Sequence, residues 1–291
     1  MDPRQIITAG IDGSPESLGA AHWAAREAVR REVVLHLVHA FDRPSERTHL
    51  PEIEVPFHRE SGALERAVLH LGSAHPALGI LEEQVTEPPV QALLTAAESS
   101  ALLVLGSRGL GAFTGALVGS VALAVAARAA CPIVLVRADE HPEAEPEAPD
   151  PTTGERRPVV LGLDIDGPSH DELLEFAFLA AGFRAAPLHV LHTWAVPLVP
   201  SADATDPARA KSHRLAEALA PYKRKYPQVD VAGRLIHGLA GHSLLKAAAK
   251  AQLLILGRRA TAGPHLGSVT HTALHHATCP VAVVPHPWGP R

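Results

Sequence analysis

Five glycines fall between Gly106 and Ser120 in the stretch GSRGLGAFTGALVGS: Gly106, Gly109, Gly111, Gly115 and Gly119. Glycine reaches positive φ and lets main-chain N–H groups approach a ligand with no Cβ in the way. Gly119-Ser120-Val121 opens a predicted helix, and a helix start favours an anion through its free N–H groups and dipole. Ser120 either caps that helix or turns its hydroxyl to a phosphate oxygen, and Arg108 adds a full charge at the rim. The chemistry is a phosphate cradle built from backbone; the plainer alternative is a flexible connection before a capped helix. Asp12, in GIDGSP, follows the first predicted strand. Its carboxylate suits a ribose hydroxyl or a metal-bound water, although Asp-Gly-Ser-Pro is also good turn chemistry. An anion cradle and a sugar-reading acid at one crevice point to a nucleotide.

The chain then repeats itself. Asp12 pairs with Asp164, His39 with His192, Gly106 with Gly257 and Cys131 with Cys279, a spacing of 148 to 153 residues throughout. The second copy keeps Asp164, Thr193 after VLH, Gly257 and Gly267-Ser268-Val269. It puts Ala260 where the first has Gly109 and shortens the span from there to the Gly-Ser pair from nine residues to six. If that site needs positive φ, alanine there costs about 1–2 kcal/mol. Arg258 and Arg259 add charge in compensation. DIDGPS is one residue longer than its counterpart and leaves open whether Asp164 or Asp166 faces the crevice.

These residues need a scaffold, and the hydrophobic pattern predicts one. Short apolar runs (QIITAGID, VVLHLVHAF, Ile80–Val85, ALLVLG, PIVLVR) alternate with helical stretches, the first opened by Ser14-Pro15 as N-cap and first helical residue. PVVLGLD, PLHVLHTW, VDVAGRLIH, QLLILG and CPVAVVP repeat the order. Strand runs that are apolar without alternation argue for parallel sheets covered on both faces. The expected fold is α/β, with two tandem doubly wound five-stranded domains. Residues 1–137 form the first, 158–291 the second, and 138–157 an acidic, proline-rich linker carrying seven acids and two arginines. Ligands of such sheets sit beyond the carboxyl ends of the strands, where strand order reverses.

Asp12 after strand one, followed by Gly106-x2-Gly109-x9-Gly119-Ser120, resembles the ATP-binding subgroup of universal stress proteins. The tandem arrangement is similar to the two-domain actinobacterial members, and the resemblance covers nearly the whole chain. It implies a Rossmann-like fold with strand order 3-2-1-4-5 and an ATP site, with Mg²⁺ as accompanying ion. The residues it implies are Asp12, Ala40, Leu105, Gly106, Ser107, Arg108, Gly109, Gly119, Ser120 and Val121. In the second domain it implies a weaker set: Asp164, Thr193, Gly257, Arg258, Gly267, Ser268 and Val269. It further implies a nucleotide-dependent regulator of stress response, with at most slow ATP hydrolysis. A scaffold that binds no nucleotide is the rival reading. An adenylating enzyme is another, but GIDGSPES lacks the glycine-serine phosphate loop that those enzymes carry after strand one.

Other chemistries find less support. The chain of 291 residues has a formal net charge of −5, which the linker alone supplies, so no basic footprint for nucleic acid or anionic membrane is expected. No 18-residue apolar run or secretory leader is read, and two cysteines at equivalent places suit a reducing cytoplasm. The dinucleotide fingerprint, the Walker loop and the G-x-S-x-G elbow are absent. Among nineteen histidines, His271, His275 and His276 have metal-compatible spacing but read as a solvated helix face. His39 and His192 are expected to make structural hydrogen bonds near the crevice mouth. The terminal strands PIVLVR and PVAVVP are apolar edges, expected to join the two copies within a chain or to join chains in a homodimer.

Overall fold

The computed structural model describes residues 6–41, 58–107, 118–137, 156–167, 170–194, 207–260 and 265–286, in two compact units. The first unit runs β1 (Ile6–Gly10), α1 (Pro15–Arg31), β2 (Val34–Ala40), α2 (His58–Ala74), β3 (Ile80–Val85), α3 (Pro89–Glu98), β4 (Leu102–Ser107), α4 (Ser120–Ala126) and β5 (Ile133–Arg137). The second runs β6 (Val159–Gly162), α5 (Asp171–Phe183), β7 (Leu188–Trp194), α6 (Pro207–Lys225), β8 (Val231–His237), α7 (Ala240–Ala248), β9 (Leu253–Arg259), α8 (Ser268–His276) and β10 (Val281–His286).

Each unit is a parallel sheet in the expected order, β3-β2-β1-β4-β5 in the first and β8-β7-β6-β9-β10 in the second. In β4 Leu102 to Leu105 are all buried, and in β5 every residue is. A strand buried on consecutive residues has protein on both faces. α1 packs with α2, and α3 with α4, which supplies the two covering layers. β3 is the opposite case: its four middle residues, Leu81 to Gln84, are exposed, and Glu82 and Glu83 place charge on the strand.

α1 begins as its sequence dictates. Ser14 is extended, its Oγ accepts from Ser17 N at 3.1 Å, and Pro15 is the first helical residue. Ala20, Ala21, Ala24, Ala25 and Ala28 are wholly buried, so small side chains bring this helix close to the sheet. It ends at Glu32, whose φ of 55° places it in the left-handed region. The second unit's α5 starts at Asp171, a later point relative to its strand than Pro15 is to β1.

Candidate functional site

β1 and β4 are neighbours whose flanking connections run to opposite sides, so strand order reverses between them. A cleft of about 530 Å³ lies beyond their carboxyl ends. Its floor is apolar: Gly10, Val38, Ala40, Leu105, and Pro89 with Leu93 from α3. One wall is the β1–α1 turn and first helical turn, with Ile11, Asp12, Ser14, Glu16 and Ser17. The other is the start of α4, Gly119 to Ala122. Gly10 lets the floor close in: a Cβ there would lie 2.6 Å from Leu105 Cδ2 and 3.0 Å from Leu93 Cδ2, and these side-chain ends would have to shift.

The acid is held in place by local bonds. Ser14 N donates to Asp12 Oδ1 at 2.9 Å and Ser14 Oγ donates to the same oxygen at 2.5 Å. Asp12 N donates to Ser17 Oγ at 3.3 Å. Gly13, with φ of +82°, turns the chain between them. Desolvation pulls the Asp12 carboxyl upward, but the hydrogen bonds from Ser14 and Ser17 outweigh it, and Asp12 sits below the usual carboxylate range. Below the turn, His39 Nδ1 donates to Ile11 O at 2.7 Å, and His192 Nδ1 makes the equivalent bond to Leu163 O at 3.0 Å. Both histidines are thus structural supports of their strand ends, as the sequence suggested.

Of the residues singled out in the first domain, Asp12, Ala40, Leu105, Gly106, Gly119, Ser120 and Val121 line this cleft together. Ser107 is buried beside it, with its Oγ donating to Val136 O at 3.1 Å, and is not among the lining residues. Arg108 and Gly109 lie outside the described residues. Ser120 is not the cap of α4. Gly119 takes the extended cap conformation (φ −60°, ψ 147°) without a side-chain bond, which leaves Ser120 as the first helical residue. The sequence reading placed GIDGSP at the crevice but did not extend the wall to Glu16 and Ser17 or find the floor residues Pro89 and Leu93. The only available signal was the spacing of Pro89 and Leu93, one helical turn apart at the start of α3.

The second unit keeps the floor and alters the walls. A Cβ on Gly162 would meet Leu256 Cδ2 at 2.7 Å and Leu244 at 3.1 Å, the counterpart of Gly10 against Leu105 and Leu93. Asp164 is the partner of Asp12, because its Oδ1 accepts from Asp166 N at 3.2 Å in the same kind of turn. Asp166 is engaged elsewhere, bound by Lys211 Nζ and Arg214 Nη1 of α6, each at 2.6 Å. The hydrogen bond from Lys211, working against desolvation, keeps Asp166 below the usual range. Thr193 is half-buried near the end of β7, while Gly267, Ser268 and Val269 form the start of α8 as Gly119 to Val121 do for α4. Arg258 is buried at the position of Ser107, and burial lowers its pKa. Ala260 is not in the left-handed region, so the strain that alanine would suffer there does not arise. Among the described residues no three histidine, cysteine or acidic side chains are grouped to hold a metal, and His271, His275 and His276 form ring contacts along α8. No described helix is long and apolar enough to cross a membrane.

Fold and cleft together define a tandem doubly wound α/β protein with a ligand crevice at the strand-order reversal. The chain belongs to the universal stress protein family, whose sequence pattern matches residues 3–137 and again 155–285. A universal stress protein of Mycobacterium tuberculosis is 30% identical over 292 residues, covering 95% of this chain and 96% of the relative. A solved universal stress protein from Archaeoglobus fulgidus superposes with a TM-score of 0.69 at 18% identity, covering 97% of this chain and 98% of its own, and shares the fold. Another universal stress protein, solved in complex with cAMP, is 28% identical and covers 45% of this chain and 96% of its own, with a TM-score of 0.36.

Proposed function

We propose that the first unit binds ATP, accompanied by Mg²⁺, and that the protein is a nucleotide-dependent regulator in stress response. The observation that carries this reading is the single cleft in which Asp12, an apolar floor and the Gly119-Ser120 helix start meet. Its volume is in the usual range for small-ligand sites, about 300–1,000 Å³. The floor of Val38, Ala40, Pro89 and Leu93 suits a flat heterocycle, Asp12 suits a ribose hydroxyl, and the opposite wall faces the phosphates. Mg²⁺ would offset the repulsion between a triphosphate and the Asp12 and Glu16 carboxylates, which both line the cleft. Nucleotide occupancy would change partner contacts. The second unit, with a shorter loop, binds more weakly.

The test is to denature freshly purified protein, identify any released small molecule, and titrate stripped protein with Mg·ATP by calorimetry. ATP in the extract, or binding that Asp12→Ala weakens by about tenfold, the worth of one good hydrogen bond to a charged group, supports the reading. An empty extract and no heat of binding would leave the scaffold alternative.

A further inference from the structure

The duplicated unit reverses its charge at one edge. Among the described strands β3 pairs only with β2, and β8 only with β7, so each offers an outer rim of main-chain N–H and C=O groups. The registers set the two rims in correspondence. Leu81 pairs with His36 and Glu83 follows on the same face; Ala232 pairs with His189 and Arg234 follows in the same way. Glu83 Oε2 lies 3.0 Å from His36 Nε2, and the second unit puts a guanidinium where the first has this carboxylate. Glu82, Glu83 and Arg234 are all exposed. The helices beside these strands continue the contrast. α2 balances two arginines with two glutamates, whereas α6 carries six lysines and arginines against one glutamate. α6 lies on β8, since a Cβ on Gly233 would come within 3.1 Å of Leu215 Cδ2 and Leu219 Cδ1. Asp166 engages Lys211 and Arg214, and Glu175 engages Lys225, while Arg209, Lys223 and Arg224 stand exposed. The connecting segments keep the signs: residues 41–85 hold eight acids and four arginines, residues 195–237 four acids and seven lysines and arginines.

We propose that these edges form an interaction surface for a second copy of this chain, the β3 edge of one molecule docking on the β8 edge of another. Like charges set directly opposite across a strand pair destabilise it. Two β3 edges would bring Glu82 and Glu83 against their own kind, and two β8 edges would do the same with Arg234 and the cations of α6. The charges that guard each edge against itself attract the other edge. The strands also match in length, six residues and seven, about 20 Å and about 23 Å of chain. The contact is heterologous, so every added copy presents a fresh edge of one sign and growth continues unless a ring closes. Because the attracting groups are exposed, association is strong at low ionic strength and screened by salt.

Sedimentation velocity of the full chain tests this, run over a wide range of protein concentration at about 0.01 M and at about 1 M salt. The Debye length shrinks between these from about 30 Å to about 3 Å. Mass is expected to climb with concentration at low salt and to return to the monomer at high salt. Glu82→Lys and Arg234→Glu should each lower the association constant by about fivefold, the upper range for one exposed ion pair. Both substitutions in one chain should restore it, because opposite charges meet again. The single changes move net charge in opposite directions, so a general charge effect would strengthen one and weaken the other. Hydrogen exchange gives a second readout: amides of β3 and β8 gain protection as concentration rises at low salt. A mass independent of concentration, association that neither reversal weakens, or a double variant that stays weak overturns the proposal. So does edge protection that is the same at every concentration, since the edges would then meet within one chain.

Discussion

Replacing Gly106 with alanine tests whether the cleft wall is set by backbone packing. The added methyl would stand 2.7 Å from Glu16 C and O, and ordinary contact begins near 3.4 Å, so the first turn of α1 must retreat by about 0.7 Å. The obstacle is main chain, which no rotamer change can move. Overpacking of this kind costs about 1–3 kcal/mol, which for a unit of this size lowers its unfolding temperature by roughly 3–10 °C. The same retreat stretches the 3.3 Å bond from Asp12 N to Ser17 Oγ, so nucleotide affinity should fall by about tenfold as one bond is lost. Gly257→Ala is the matched control, because it meets the His286 ring and the end of Leu173, side chains that can turn aside. Scanning calorimetry of the full chain, with each unit's transition assigned by hydrogen exchange, reads both variants. If Gly106→Ala unfolds at the wild-type temperature, or Gly257→Ala is the more damaging, the packing argument fails.

Cys131 is buried and its thiol is pushed up to about 12, chiefly by desolvation, so thiol reagents should reach it only when the first unit opens. Nucleotide at about 100 times its Kd should slow that labelling about a hundredfold, and an unchanged rate would place the ligand elsewhere. His22 is lowered from 6.5 to about 4, first by burial and then by Arg26, so it stays neutral in the fold while the unfolded chain protonates. Its penalty is absent above pH 6.5 and grows by about 1.4 kcal/mol per pH unit as pH falls toward 4, a slope that His22→Gln should flatten in denaturant titrations. Asp12 has a lowered pKa, so its stabilising contribution is complete above the ordinary 3.8 and vanishes as pH drops through the folded value. Asp12→Asn should make the acid limb of the pH–stability curve shallower while Asp166 and Glu175 keep their share; an unchanged limb would mean that the Ser14 bonds do not hold the carboxylate.

Much of the scaffold could be read in advance because its signals are local. Ser14-Pro15 marks the start of α1, and Ile80–Val85 matches β3 residue for residue. What the sequence left open turns on packing and partners that a local pattern does not display. Gly106 lines the cleft, but the direction of its missing Cβ is filled by α1, so packing would also demand a glycine there. Whether Asp164 or Asp166 faces the crevice is decided by Lys211 and Arg214, some fifty residues further along the chain. Ser120 was read as a possible cap because serine caps well; extended Gly119 took the position without needing a side chain.

The duplicated floor shows how packing and ligand demands separate. Gly10 beneath Leu105 and Leu93, and Gly162 beneath Leu256 and Leu244, have nearly the same clearances although their walls differ. If the floor answers to sheet–helix packing, Gly10→Ala and Gly162→Ala should destabilise their own units by similar amounts, with or without nucleotide. Each added methyl presses on leucine side-chain ends that can shift, so the loss should be smaller than for Gly106→Ala, about 1 kcal/mol. Nucleotide binding should respond differently, falling in the first unit because Leu93 and Leu105 line the cleft and are pushed into it. Unfolding followed unit by unit, with and without Mg·ATP, separates the two effects. A Gly162 variant that is stable while the Gly10 variant unfolds early would mean that the floors, like the walls, have diverged.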